Sequence, residues 1–141
     1  MSKLLVSKDL SFSQDKNKIK LMAEFCNFCA DYLPIIDDFE IQVIDNRSKH
    51  GITTTAAYYI GENKCVIYGK NRAMVDIFRS ICHEMVHMMQ DEKGELIGHI
   101  QDAGGYHEDQ ANALAGELIK RFVSGCNSRG KIYESKNIKI I

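Results

Sequence analysis

The 141-residue chain has no apolar run of membrane-spanning length, and Met1 to Leu10 lacks the long apolar stretch of a secretory signal. The expectation is a soluble protein with no membrane partner, working in the cytoplasm, or in the host cytoplasm if phage-encoded. An excess of one charge is missing too. Eighteen Lys and Arg face nineteen Asp and Glu for a net charge of −1, and the basic residues are scattered, so no nucleic-acid footprint is visible. Lys16, Lys18 and Lys20 read as a solvated helix face. Repeats, low-complexity tracts and long linkers are absent. Five cysteines, an odd count without a secretion signal, suit reduced thiols better than a disulfide framework. Cys26 and Cys29 spell C-x-x-C, yet no second pair stands at zinc-finger spacing and both fall in an apolar helical pattern, which points to core packing. At 45% hydrophobic residues the chain can bury one substantial core, and the economical reading is one domain over 1–141.

What is present is concentrated in His83-Glu84-Met85-Val86-His87. Residues four apart on a helix lie one above the other, so His83 and His87 can bind one ion while Glu84 reaches a water on it. If 72–91 is helical, Asp76, Arg79, Ser80, His83, Glu84, His87, Gln90 and Asp91 form one polar stripe. Met74, Val75, Ile77, Phe78, Ile81, Cys82, Met85, Val86, Met88 and Met89 cover the rest, the pattern of a buried helix with one side open to a cleft.

Catalytic zinc usually takes three protein ligands and keeps a position for water, so a further donor is required. His99, Asp102, His107, Glu108, Asp109 and Glu117 are the candidates. With Tyr106 to Ser124 read as a second helix, Glu108 shares a face with Ala111, Ala115, Leu118, Ile119 and Phe122, whereas Glu117 falls opposite with Gln110, Lys120 and Arg121. Glu108 is the better ligand and His107 the rival, since imidazole binds zinc as readily. Small residues at Ala111, Ala113, Ala115 and Gly116 would let the two helices approach. The metzincin pattern is excluded, because Gln90 and Lys93 stand where it needs glycine and histidine.

HEMVH followed by Glu108-Asp109-Gln110-Ala111-Asn112-Ala113-Leu114-Ala115 resembles the zincin metallopeptidases of the ImmA/IrrE type, in which a Glu-x-x-Ala-Asn-x-hydrophobic-Ala helix supplies the third ligand. It is also similar to small metallopeptidase-like proteins of bacteriophages. The likeness covers mainly 65–122. It implies a minimal zincin-like α+β domain, with a small, mainly antiparallel sheet packed on the active-site helix and a following ligand-bearing helix. It implies Zn²⁺ on His83, His87 and Glu108, Glu84 as general base, and a protein or peptide substrate. No helix-turn-helix domain of the kind often joined to those peptidases is visible. SprT-like zincins are the rival resemblance, and their histidine third ligand would favour His107.

Elsewhere Ser13 is expected to cap a helix through about Leu33, burying Ile19, Met22, Phe25, Cys26, Cys29, Tyr32 and Leu33, with Pro34 ending it. Phe39 to Ile44 reads as a strand. Thr53 to Ile60 and Lys64 to Tyr68 read as a hairpin around Gly61-Glu62-Asn63. Ile138 to Ile141 reads as a short strand or a tail. Cys65 to Tyr68 is either an interior strand or the edge that pairs with an extended substrate, as edge strands of zincins do. Tyr106, His107, His99 and Tyr133 are candidate oxyanion donors, and Asp76, Ser80 and Asn112 candidate supports for the ligating imidazoles. Two other classes keep the motif without peptidase activity: a zinc-binding, catalytically inactive regulatory or interaction protein of the phage or plasmid accessory type, and a metal-free binding domain.

Overall fold

The computed structural model describes residues 1–96 and 105–133. Its elements in chain order are β1 (Lys3–Val6), α1 (Lys16–Tyr32), β2 (Glu40–Ile44), β3 (Ala56–Tyr59), β4 (Lys64–Tyr68), α2 (Met74–Glu92) and α3 (Tyr106–Ser124), with short 3-10 turns at Ser48–His50 and Asn127–Tyr133. The four strands form one sheet in the order β1-β2-β4-β3. His99, Asp102 and Ile138 to Ile141 lie outside the described residues.

The α+β class matches expectation, but the mainly antiparallel sheet does not. β1, β2 and β4 run parallel, and only β3 opposes β4. The cause lies in β1, which the sequence reading left unassigned. A 17-residue helix carries the chain from β1 back to the start of β2, so the two strands must point the same way. The hairpin then inserts its second strand beside β2. Cys65 to Tyr68 is therefore interior, with Cys65, Val66 and Ile67 fully buried, and β3 takes one edge of the sheet opposite β1.

Asp15, rather than Ser13, caps α1. Its Oδ1 accepts from the amides of Asn17 and Lys18 at 3.1 and 3.2 Å, while the Ser13 hydroxyl donates back to the Lys8 carbonyl. Met22, Phe25, Cys26, Cys29 and Leu33 face inward as the apolar spacing requires. Tyr32 turns outward, where Arg121 stacks over its ring. Phe25 stacks on Phe78 of α2 at 4.7 Å and meets Phe122 of α3 edge-on at 5.1 Å, so one aromatic cluster joins all three helices. Cys26, Cys29, Cys65 and Cys82 are buried free thiols in the same core.

α2 is the central element, and two carboxylates at its end fix it to the sheet. Asp91 Oδ2 accepts from the Tyr58 hydroxyl at 2.5 Å and the Gly61 amide at 2.8 Å. Glu92 holds the amides of Ile36 and Asp37 at 3.0 Å each. Acidic groups at a helix C-terminus oppose the helix dipole, and here direct hydrogen bonds to both adjoining loops offset that cost. Among the described residues, no helix is long and apolar enough to cross a membrane.

Candidate metal centre

One turn of α2 separates His83 from His87, and their Nε2 atoms stand 3.2 Å apart. The first turn of α3 brings Glu108 over both. Its Oε2 lies 2.9 Å from His83 Nε2 and its Oε1 3.0 Å from His87 Nε2. One atom from each of the three residues can be chosen so that all lie within 4.8 Å of one another. Ala111 and Ala115, fully buried, permit this approach of the two helices. Ala113 is exposed and a Cβ on Gly116 would meet nothing, so those two positions play no part in it.

The rival ligand is turned away. His107 is one residue from Glu108, about 100° around a helix of 3.6 residues per turn, and its Nε2 reaches towards Glu95 Oε1 at 3.6 Å. Asp109 is exposed, and Glu117 pairs with Arg121 at 2.9 Å on the surface. Helix phase separates Glu108 from Asp109 and Glu117 as the sequence reading expected, but Gln110, read on the outward face with Glu117, reaches in to accept from the fully buried Gln90.

A fully buried side chain, Gln90, fixes the chemistry of His87. Gln90 Nε2 donates to the His107 carbonyl at 3.1 Å and to Gln110 Oε1 at 2.8 Å. A backbone carbonyl only accepts, so this end of the amide must be the NH₂ and the other end the oxygen. That oxygen lies 2.8 Å from His87 Nδ1, which must then carry a hydrogen. In the neutral ring Nε2 is left with a bare lone pair, aimed at a carboxylate oxygen. Two acceptors facing each other at 3.0 Å call for a cation or a proton between them.

The charge balance points the same way. Burial, followed by the neighbouring His87, holds His83 below its ordinary pKa of 6.5, so it is a neutral donor at neutral pH rather than the cationic half of an ion pair. Burial, followed by the Glu108 charge, pushes the Glu84 carboxyl up to about 8. A divalent cation suits two imidazoles, a carboxylate and a second carboxyl 8% exposed beside them.

The cluster opens into a cleft of about 400 Å³. His83, Glu84 and Glu108 form its floor, Thr54, Thr55 and Ala56 at the start of β3 one wall, and Arg79, Ser80 and Asn112 the remainder. Asn112 lines the cleft beside His83 and favours the charged form of its ring. Asp76 and Ser80 bond elsewhere: Asp76 pairs with Arg79 at 2.8 Å, and Ser80 accepts from Arg72 Nη2 at 2.8 Å. Tyr106, His107 and Tyr133 are not among the cleft-lining residues, with Tyr106 70% and Tyr133 51% exposed. The sequence reading put Gln90 on the polar stripe without giving it a role. Its spacing of three from His87 was the available signal.

The outer edge of β3 also faces this region. Tyr68 donates its amide to the Thr55 carbonyl, which makes Thr55 and Tyr68 a bonded pair and the next pair, Ala56 and Ile67, a non-bonded one. Ala56 and Tyr58 consequently point their backbone groups away from β4. No protein-family model matches the chain, and neither the curated proteins nor the solved structures provide a significant match.

Proposed function

We propose that the protein is a zinc-dependent metallopeptidase, with His83, His87 and Glu108 as ligands and Glu84 as general base. The observation that carries this reading is the convergence of three ligand atoms within 4.8 Å beside a buried carboxyl at the floor of an open cleft. Zinc is the ion favoured by a set of two imidazoles and one carboxylate. When bound, it would supply Lewis-acid chemistry, acidifying a water and polarising the scissile carbonyl.

The chain's own groups account for the remaining work. Gln90 orients the imidazole of His87. Glu84, buried beside the three ligand atoms and lining the cleft, is placed to take a proton from the attacking water and return it to the leaving amine. The Ala56 amide and the backbone groups of Tyr58 point outward, where an extended peptide can add as a further strand, while the Ala56 carbonyl accepts from the Thr54 hydroxyl at 2.7 Å. A hydrolytic site would need Glu84; a purely structural zinc site would not.

The test is metal analysis of protein purified without a histidine tag, followed by peptide hydrolysis with the zinc form. The expected result is about one zinc per chain, with turnover at least about a hundredfold lower in Glu84→Gln while zinc is retained. Zinc binding without hydrolysis of any peptide would instead support a regulatory or interaction protein. Failure to bind zinc would remove both readings.

A further inference from the structure

One end of the cleft is cationic. Among the described residues, Arg79 is the only Lys or Arg that lines it, one turn before His83 on α2. Among the described residues, its one hydrogen bond runs from Nη1 to Asp76 Oδ1, between groups that are both about half exposed. Such a surface pair is weak and exchanges readily with other anions. Behind Ser80, Arg72 adds a second positive charge. It is half-buried and held in place by hydrogen bonds to the Tyr68 and Asp76 carbonyls and the Ser80 hydroxyl at 2.7, 3.0 and 2.8 Å. Two guanidinium groups therefore lie around Asp76, Arg79 on its carboxylate and Arg72 on its backbone carbonyl.

We propose that this end of the cleft binds a carboxylate of the substrate and that Arg79 is the residue that selects it. The inference deepens the peptidase reading and rests on it. Arg79 and His83 are about 6 Å apart along the helix axis, the length of roughly two residues of extended chain. A carboxylate held by Arg79 thus lies within a few bonds of the carbonyl presented to the metal centre. An acidic side chain near the cleaved bond and a free C-terminus both supply that group. A guanidinium can grip either through two parallel N–H donors, while Arg72 stays committed to the protein.

The test uses the full chain loaded with zinc and a matched peptide set: Glu with an amidated end, Gln with an amidated end, and Gln with a free C-terminus. In wild type, kcat/KM for at least one carboxylate-bearing peptide should exceed that of the neutral one about tenfold, the size of a charge-assisted hydrogen bond in a half-exposed site. Preference for the first peptide identifies an acidic side chain as the source, and preference for the third a terminal carboxylate. In Arg79→Gln the preference should collapse, mainly through KM, with zinc content and melting temperature unchanged. Arg79→Glu should reverse it towards a Lys-containing peptide. A carboxylate preference that survives in Arg79→Gln, or no such preference in wild type, overturns the proposal. If no peptide is hydrolysed, the peptidase reading fails, and affinities of the same peptides for zinc-loaded Glu84→Gln decide this one. Arg79-dependent selectivity would retain a carboxylate site, and its absence would remove it.

Discussion

Gln90→Leu tests whether the metal centre depends on a residue that touches no metal. The substitution keeps the three proposed ligands and strips the amide from a fully buried position. Three hydrogen bonds disappear, to His87 Nδ1, the His107 carbonyl and Gln110 Oε1. His87 is 4% exposed, so its stranded N–H bears the full desolvation cost, about 1 to 3 kcal/mol. His107 and Gln110 are only partly buried and can recruit water. The metal-free protein should lose roughly 2 to 3 kcal/mol in total. Zinc affinity should fall by about ten- to a hundredfold, because nothing then holds the His87 proton on Nδ1 and the ring can present Nε2–H to the ion instead.

Gln90→Glu separates orientation from packing. A carboxylate still accepts from His87 Nδ1 but cannot donate to the His107 carbonyl, so stability should drop while affinity stays within about threefold of wild type. Competition with a chromophoric chelator at fixed pH gives the affinities, and urea unfolding in excess chelator gives the stabilities. If Gln90→Leu binds zinc as tightly as wild type while losing stability, the amide merely packs and the tautomer argument is wrong.

His83→Ala or His87→Ala should abolish the stabilisation by zinc, about 2.7 kcal/mol when free ion is at a hundred times Kd, and melting curves with and without zinc would expose the difference. Equal zinc content in wild type and variant would refute the ligand assignment. Glu108→Ala should weaken zinc binding at least tenfold, whereas Glu117→Ala, which removes only a surface pair with Arg121, should change it less than twofold; chelator competition reads both. In metal-free protein the folded-state pKa of Glu84, raised from 4.5 to about 8, makes its contribution greatest below pH 4.5 and lost as pH rises through 8. Glu84→Gln should then be more stable than wild type at pH 8, by about 2 kcal/mol after allowing for relaxation around the charge, and the gap should close towards pH 4.5; a pH-independent gap in chelator-treated samples would contradict the burial argument.

The parts of this molecule that could be read from sequence are those governed by one helix at a time. α2 and α3 were legible because apolar residues recur at helical spacing, and the same phase assigned Glu108 inward and Glu117 outward without any knowledge of the neighbouring elements. β1 escaped because its four residues, Lys-Leu-Leu-Val, are few and do not alternate polar with apolar, although their exposure alternates in the fold. Its absence from the reading then misled the sheet. Without β1, the β3-β4 hairpin is the clearest strand pair and suggests an antiparallel arrangement; with it, α1 becomes a crossover and the interior becomes parallel.

Gln90 marks a deeper boundary. Its spacing from His87 is visible in the chain, but its function requires an amide with a defined orientation, and that orientation is set by the His107 carbonyl on another helix. The residue considered as a rival ligand thus contributes through its backbone while its imidazole points towards Glu95. Sequence periodicity gives the direction of a side chain from its own helix; which nitrogen of His87 carries the proton depends, through Gln90, on a carbonyl seventeen residues beyond that glutamine. Ligand identity is therefore a property of α2 and α3 separately, whereas ligand tautomer is a property of their contact, and a substitution that shifts the start of α3 without touching any ligand should alter the metal centre through Gln90.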